Sequence, residues 1–419
     1  MSTKKSGRAA LVVALTVMLA PAAEAQATWV LEGAKIYLAP DAPAIIGGKI
    51  LIAGTKIKAI AGSSDARVPA AAKAPECNGG IVVAGFQNSH VHFTGDEYVD
   101  AAHRPAEALT GALTQMLTRY GYTTVFDIAS DRDNTLALRA RIDDGQVRGP
   151  RILTAGLPLF PPRGLPIYIS HFRKELLDRL PQPASVEDAL KVLRDNFAAG
   201  ADATKLFIVT PQGNNIVKRM PAAITRAAVD ETHRHARLVF AHPTDIEGVQ
   251  AAVDAHVDIL AHPPIGAPVP WPESLMKQVR NARMSMIPTL KLFPFELEKE
   301  HVPSAVADRL VSESVTEFGK FAAMGGEVLF GTDVGYMTDY DPTLEYELMA
   351  KAGMTPMQIL ASLTTVPAAR WKEQGRRGRL AAGMDAEIVV LDADPVDAPR
   401  NFASVRCAIR NGEVIYARR

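Results

Sequence analysis

Between residues 81 and about 350, short apolar runs alternate with longer stretches whose apolar positions recur every three to four residues. The runs read as strands: Ile81–Phe86, Thr123–Asp127, Arg151–Thr154, Ala203–Val209, Leu238–Ala241, Ile259–Ala261, Ser285–Pro288 and Val328–Gly331. These runs are short and mainly apolar, and the stretches between them are longer. The stretches between them read as helices, at 105–120, 134–144, 185–199, 221–235, 245–255, 272–281, 304–324 and 342–352. Strand followed by helix, repeated along the chain, predicts an α/β fold, and eight repeats predict a (β/α)8 TIM-like barrel. An open doubly wound sheet fits the same alternation, but no glycine-rich phosphate loop follows the first strand.

The two ends of the chain have a different pattern. Residues 28–80 hold short β runs such as Lys35–Leu38 and Lys49–Ile52, separated by Gly47-Gly48 and Gly54-Thr55. The last forty or so residues hold Glu387–Leu391 and Val405–Ile409, then an Asn411-Gly412 hairpin turn before Val414–Tyr416. Both ends are expected to join in one small β-sandwich. The predicted division is 1–27 leader, 28–80 first part of the sandwich, 81–375 barrel and 376–419 second part of the sandwich.

Composition narrows the function classes. The 419 residues are 47% hydrophobic and 22% charged, with zero formal net charge, which favours neither nucleic acid nor an anionic membrane as partner. A small-molecule substrate is the expected partner, and a homo-oligomer remains open. Lys4, Lys5 and Arg8 precede the apolar stretch Ala9–Ala20, and Ala23-Glu24-Ala25 follows. This is the layout of a signal peptide, too short to span a bilayer, so export to the periplasm without lasting membrane insertion is expected. Cys77 and Cys407 are the only cysteines; they read as small buried hydrophobes, with a bridge open to them in an oxidising compartment.

The candidate chemistry sits at the ends of the strand-like runs. His90 and His92 lie two apart, so on an extended chain both rings point to one side and can share a metal ion. His242, His262 and Asp333 each end a later run, and Lys205 lies within an otherwise apolar one. A lone histidine beside a strand is ordinarily a hydrogen-bonded core residue, and lysine is seldom buried unpaired. Six such residues at one end of successive strands instead point to a shared site, because barrel active sites lie at the C-terminal strand ends. His233, His235 and His256 fall on helices and are set aside. The longest irregular stretch, Gly156 to Arg173, is rich in proline and is expected to touch substrate through Tyr168 or His171. Tyr336 and Tyr340 lie in the loop after the eighth run, and Arg163 and Arg219 are the candidate partners for a substrate carboxylate.

These segments resemble the amidohydrolase superfamily, in particular its imidazolonepropionase-like and prolidase-like branch. The likeness is carried by Gly85–His92, Gly200–Lys205, Phe240–His242, Ile259–His262, Leu329–Asp333 and Gly383–Leu391. It implies two divalent metal ions, zinc in most members. His90, His92 and Asp333 would hold one ion, His242 and His262 the other, and Lys205 would bridge them as a carbamate formed with CO2. Two positions depart from the common pattern: His242-Pro243-Thr244 lacks a second histidine, and Ala261 stands where glutamate is common before His262. The implied reaction is hydrolysis of an amide C–N bond in a dipeptide or N-acyl amino acid by a metal-activated bridging hydroxide, with Asp333 as proton shuttle. A lactone or organophosphate hydrolase would use the same ligands, and a non-catalytic barrel is the rival of another class.

Overall fold

The computed structural model describes residues 28–62, 72–73, 75–170, 172, 174–213, 216–264 and 270–418. The expected leader at 1–27 and the candidate contact His171 lie outside the described residues. Eight parallel strands organise the middle of the chain. They are β1 (Phe86–Val91), β2 (Tyr122–Asp127), β3 (Arg151–Thr154), β4 (Ala203–Phe207), β5 (Leu238–His242), β6 (Ile259–Ala261), β7 (Ser285–Ile287) and β8 (Glu327–Val328). One sheet has the order β3-β2-β1 and the other β4-β5-β6-β7-β8.

Hydrogen bonds join the sheets at both edges. Beside β1, Asp333 N donates to the His90 carbonyl at 2.9 Å and Ser89 N to the Phe330 carbonyl at 2.8 Å. Beside β3, Asp202 N donates to the Thr154 carbonyl at 2.7 Å and Leu159 N to the Lys205 carbonyl at 2.9 Å.

Helices follow the strands, and several of their starts are fixed locally. Ser185 accepts from Asp188 N at the head of α1 (Val186–Ala199), and Asp245 accepts from Gly248 N at the head of α2 (Ile246–Asp254). Each supplies an acceptor to an otherwise orphaned helix donor. Side chains alternate along the strands as geometry requires. In β5, Val239 and Ala241 join the large cluster under the helices, whereas Phe240 packs with Phe126, Ile259 and Ile287 on the other face. His242 continues the Phe240 side.

The run Ile81–Phe86, read as the first parallel strand, divides at Gly85. Ile81–Ala84 pairs antiparallel with Ile388–Leu391, and the parallel strand begins at Phe86. The switch requires glycine: a Cβ on Gly85 would lie 2.3 Å from Thr123 Oγ1. The same shift brings His90 into β1 itself.

The chain ends build two further sheets. Residues 28–61 with 72–73 supply a four-stranded sheet, and strands from both ends supply a six-stranded one. Leu31, Ile50, Ile52, Val82, Ile388 and Val390 share one buried cluster, so both ends contribute to a single core. Cys77 and Cys407 also lie in it and form a disulfide across 330 residues, with Cα atoms 5.4 Å apart. The reading of the two cysteines as separate small hydrophobes gives way to a bridge. No described helix is long and apolar enough to cross a membrane.

Candidate active site

All six strand-end candidates line one cavity of about 270 Å3. His90 and His92 reach it from β1 with ring centroids 5.1 Å apart. Lys205 comes from the middle of β4 and is 1% exposed; its Nζ lies 5.0 Å from the centre of the Phe207 ring. His242 ends β5. His262 stands one residue beyond β6 and breaks the alternation. Ile259 and Ala261 face Phe240, so an extended chain would turn residue 262 toward the helices. Its φ of 86° turns the ring inward instead, 4.8 Å from His90 and 4.9 Å from His242 between ring centres. Asp333 also has a positive φ, 59°. Non-glycine residues held there cost about 1–3 kcal/mol each, and such strain concentrates at functional sites. Close approach of the Asp333 segment to β1 requires Gly331, where a Cβ would lie 2.8 Å from His90 Cβ.

The donors converge tightly. His90, His92 and Asp333 offer ligand atoms that all lie within 4.8 Å of one another. His92 Nε2 is 2.8 Å and His90 Nε2 3.2 Å from Asp333 Oδ1, and the two Nε2 atoms are 3.2 Å apart. His262 Nε2 is 3.6 Å from Asp333 Oδ2.

His92 Nδ1 is 3.1 Å from the Ala129 carbonyl, which can only accept, so Nδ1 carries a proton. Its Nε2 faces Asp333 Oδ1, a buried oxygen with no hydrogen-bond partner among the described residues, and His90 Nδ1 is likewise unpartnered. Burial, against the pull of Asp333, pushes His90 down to about 4, and burial holds His242 and His262 well below the usual imidazole range. Burial alone would raise Asp333, but the neighbouring His90 and His92 rings outweigh it and hold the carboxyl well below its ordinary value. Neutral imidazoles and an ionised carboxylate are the protonation states metal ligation requires, so the residues present fit a divalent cation.

Supports behind the ligands were not read from the sequence. Asp127, buried at the end of β2, accepts from Ser130 Oγ at 2.6 Å, Thr135 Oγ1 at 2.9 Å and Ala129 N at 3.3 Å. It thereby fixes the turn whose Ala129 carbonyl orients His92. Thr289 Oγ1 lies 2.5 Å from His262 Nδ1. Asp127 carried the same signal as the ligands, an ionisable residue ending an apolar run.

The expected substrate contacts divide. Tyr168 and Tyr336 line the cavity, with rings 5.6 Å apart, and Tyr168 lies 6.3 Å from the His242 ring. Tyr340 instead donates to Glu97 at 3.2 Å. Arg163 and Arg219 are corrections. Arg163 is exposed on the turn after Pro161-Pro162, at φ 53°. Arg219 is occupied by Asp245 at 2.7 Å and Glu247 at 2.9 Å. Neither borders the cavity. The rest of the lining is mainly apolar, with Phe160, Ile169, Leu176, Leu180, Phe207 and Leu292, together with the polar Thr94, Ser130 and Thr244; Glu296 is the one further acidic side chain among the described lining residues.

A sequence profile of the amidohydrolase family matches residues 81–415. A curated relative, ochratoxinase from Aspergillus niger, is 23% identical over 361 residues, spanning 77% of this chain and 72% of that protein. Among solved structures, a Xaa-Pro dipeptidase with bound methionine in its active site superposes with a TM-score of 0.77 at 21% identity, covering 93% of this chain and 100% of the other. The A. niger ochratoxinase structure gives 0.74 at 18% identity, covering 93% and 96%. A prolidase described as putative, from Bifidobacterium longum, gives 0.75 at 24% identity, covering 93% and 95%.

Proposed function

Because the chain belongs to the amidohydrolase family, in its prolidase-like branch, we propose that it is a metal-dependent hydrolase cleaving an amide or peptide C–N bond of a small substrate. The observation that carries this is the convergence of His90, His92 and Asp333, whose ligand atoms lie within 4.8 Å of one another on the floor of a cavity that Lys205, His242 and His262 also line. The relatives named as a dipeptidase, a prolidase and ochratoxinase support the same reaction class. We read the two parallel sheets as one (β/α)8 barrel and the sheets from the chain ends as a sandwich, a reading supported by the backbone bonds that join the parallel sheets.

His90, His92 and Asp333 would hold one divalent ion, and His242 and His262 a second, with zinc the expected metal. Bound there, such ions lower the pKa of water and polarise a carbonyl oxygen. Asp333 takes the proton of the attacking water on its carboxylate and delivers it to the leaving nitrogen, so that the C–N bond breaks without expelling an amide anion. The apolar wall excludes bulk water from the reacting atoms. Lys205 is pushed down to about 7 by burial, opposed by Asp333, so its amine is available uncharged near neutral pH. It takes up CO2 by forming an N–C bond and releasing a proton. The resulting carbamate presents anionic oxygens where an ammonium would repel the metals.

Metal content and turnover test the proposal together. The purified chain should carry close to two equivalents of divalent metal. Chelation should abolish hydrolysis of a dipeptide and N-acyl amino acid panel, and zinc should restore it. A preparation that holds metal yet hydrolyses only lactones or phosphotriesters would sink the amide assignment. Labelled bicarbonate should yield a carbamate carbon resonance that Lys205→Ala lacks, and a resonance surviving in the variant would exclude Lys205. Export to the periplasm is consistent with the Cys77–Cys407 bridge, which persists in an oxidising compartment. Recovery of the chain only with spheroplasts would contradict it.

A further inference from the structure

The cavity wall has a chemistry of its own. The connection between β3 and α1 sends Phe160 and Ile169 inward, where they bury together with Phe207 in an apolar cluster separate from the main core. Phe160 and Phe207 stack with ring centres 4.2 Å apart and planes 15° from parallel. Phe207 lies 5.1 Å from the His242 ring, and Tyr168, packed against the same cluster as Phe160 and Phe207, lies 6.3 Å from it. An aromatic surface therefore begins at the metal floor. Leu292, Glu296 and Tyr336 line other parts of the cavity.

Size and charge limit what this surface accepts. An apolar cavity of about 150 Å3 takes up benzene, so about 270 Å3 accommodates a ring together with an amide group. Among the described lining residues the only cationic side chain is Lys205, on the floor. Arg163 is exposed and Arg219 is held by two carboxylates. Glu296 accepts the Tyr336 hydroxyl at 2.7 Å and is paired with Lys299 at 3.7 Å, so Lys299, which also donates to Tyr336, is already engaged there. An anionic group pressed against this wall would be desolvated without a partner, which is costly.

We propose that the substrate carries a neutral, ring-sized apolar group bonded directly to one side of the scissile amide, seated on the Phe160–Phe207–Tyr168 surface. This rests on the amide-hydrolase reading and narrows its substrate class: the aromatic wall selects the substrate, while the metal floor supplies the reaction.

Two measurements on the full chain test it. The metal-loaded protein is given acetyl, phenylacetyl and succinyl methylamides, and the reversed pair acetyl methylamide and acetyl benzylamide. In one series the ring-bearing member should exceed its methyl counterpart by about 30-fold or more in kcat/KM, the scale of burying one aromatic group, and the succinyl member should be slowest. Phe160→Ala should reduce the ring-to-methyl ratio about tenfold, with Leu180→Ala as a second variant and metal content as the check that the floor is intact. Separately, the chelated protein should give saturation-transfer NMR signals from the ring of phenylacetone and none from acetone, a readout independent of turnover. Hydrolysis of all members at similar rates, a fastest succinyl member, or absence of phenylacetone binding overturns this proposal alone. Phenylacetone binding with no amide hydrolysed by metal-loaded protein sinks the amide reading and leaves the ring-binding surface standing.

Discussion

The floor and the wall of the cavity meet at the Phe207–His242 contact, and they are secured by different means. Floor side chains hang from strand ends and backbone bonds between neighbouring strands, such as Asp333 N to the His90 carbonyl at 2.9 Å. The wall combines Phe207 of β4 with the long connection between β3 and α1, which is bonded to β4 at Leu159 and tied back farther along by Phe160 N to the Pro181 carbonyl at 2.9 Å and Thr210 Oγ1 to the Gly164 carbonyl at 2.8 Å. Donor atoms on the floor must be placed to a fraction of an ångström, which the sheet enforces. An apolar surface tolerates looser placement, because burial is not directional. One part of the cavity can thus be fixed by the fold while another varies with a connection.

Substitution of Asp333 should give the largest effect and fall equally on every substrate. Asp333→Asn keeps the shape but removes the proton acceptor, so turnover should drop about 10²–10⁴-fold. The variant should retain at least one metal equivalent on His90, His92, His242 and His262. Kinetics on methyl and ring-bearing amides would check the comparison. A loss confined to one substrate would mean that floor and wall are not separate, and wild-type rates would remove Asp333 as proton carrier.

A smaller effect is expected one layer behind the floor. Asp127→Asn weakens the acceptor that holds Ala129 N, Ser130 and Thr135, so the Ala129 carbonyl no longer fixes the His92 ring. Metal affinity should fall about 10–100-fold, the usual consequence of disturbing a ligand's support. Excess zinc should recover most of the turnover. Titration of metal into chelated protein measures this, and unchanged affinity would show that the sheet alone orients His92.

The same division explains what could be read from the sequence. Floor residues announce themselves as a set: each ionisable side chain at or within an apolar run has a bland explanation alone, but six of them at one end of successive strands do not, and His90, His92, Lys205, His242, His262 and Asp333 all reach one cavity. Wall residues give no such signal. Phe160, Ile169 and Leu180 are ordinary apolar residues in a proline-rich segment without periodicity, and their partner Phe207 lies well downstream in β4. Attention to polar loop residues selected Arg163 and Arg219, which point to solvent or to other carboxylates, while the wall is apolar. His262 was picked out as the end of an apolar run; alternation along β6 would have turned it outward, and a left-handed backbone turns it back. The Cys77–Cys407 bridge was left open although both chain ends were expected to join, because strand pattern alone does not say which side chains meet in the shared core.

Glu345 is a support that floor and wall share, and its replacement should change turnover least. Buried without exposure, its Oε2 accepts from Lys291 N at 2.7 Å, and Leu290 N also donates to the carboxyl. This fixes the segment whose Thr289 meets His262. From the same segment Lys291 Nζ reaches the Asp339 carbonyl at 3.0 Å and the Asp341 carbonyl, holding the loop that carries Tyr336. Burial, opposed by those donors, pushes the Glu345 carboxyl from 4.5 up to about 7. A folded-state value above the unfolded one means that the neutral form is favoured by folding. The contribution is therefore complete below pH 4.5, declines as pH rises through about 7, and is absent above it, a swing on the order of 3 kcal/mol at most. Glu345→Gln keeps an uncharged acceptor at every pH. Its unfolding free energy should lack the wild-type decline between pH 4.5 and 7 and should exceed wild type at pH 8. Denaturant melts across that range decide the matter. Parallel curves for the two proteins would mean that Glu345 does not titrate there, and that the junction between floor and wall owes its stability to packing rather than to a neutral buried acid.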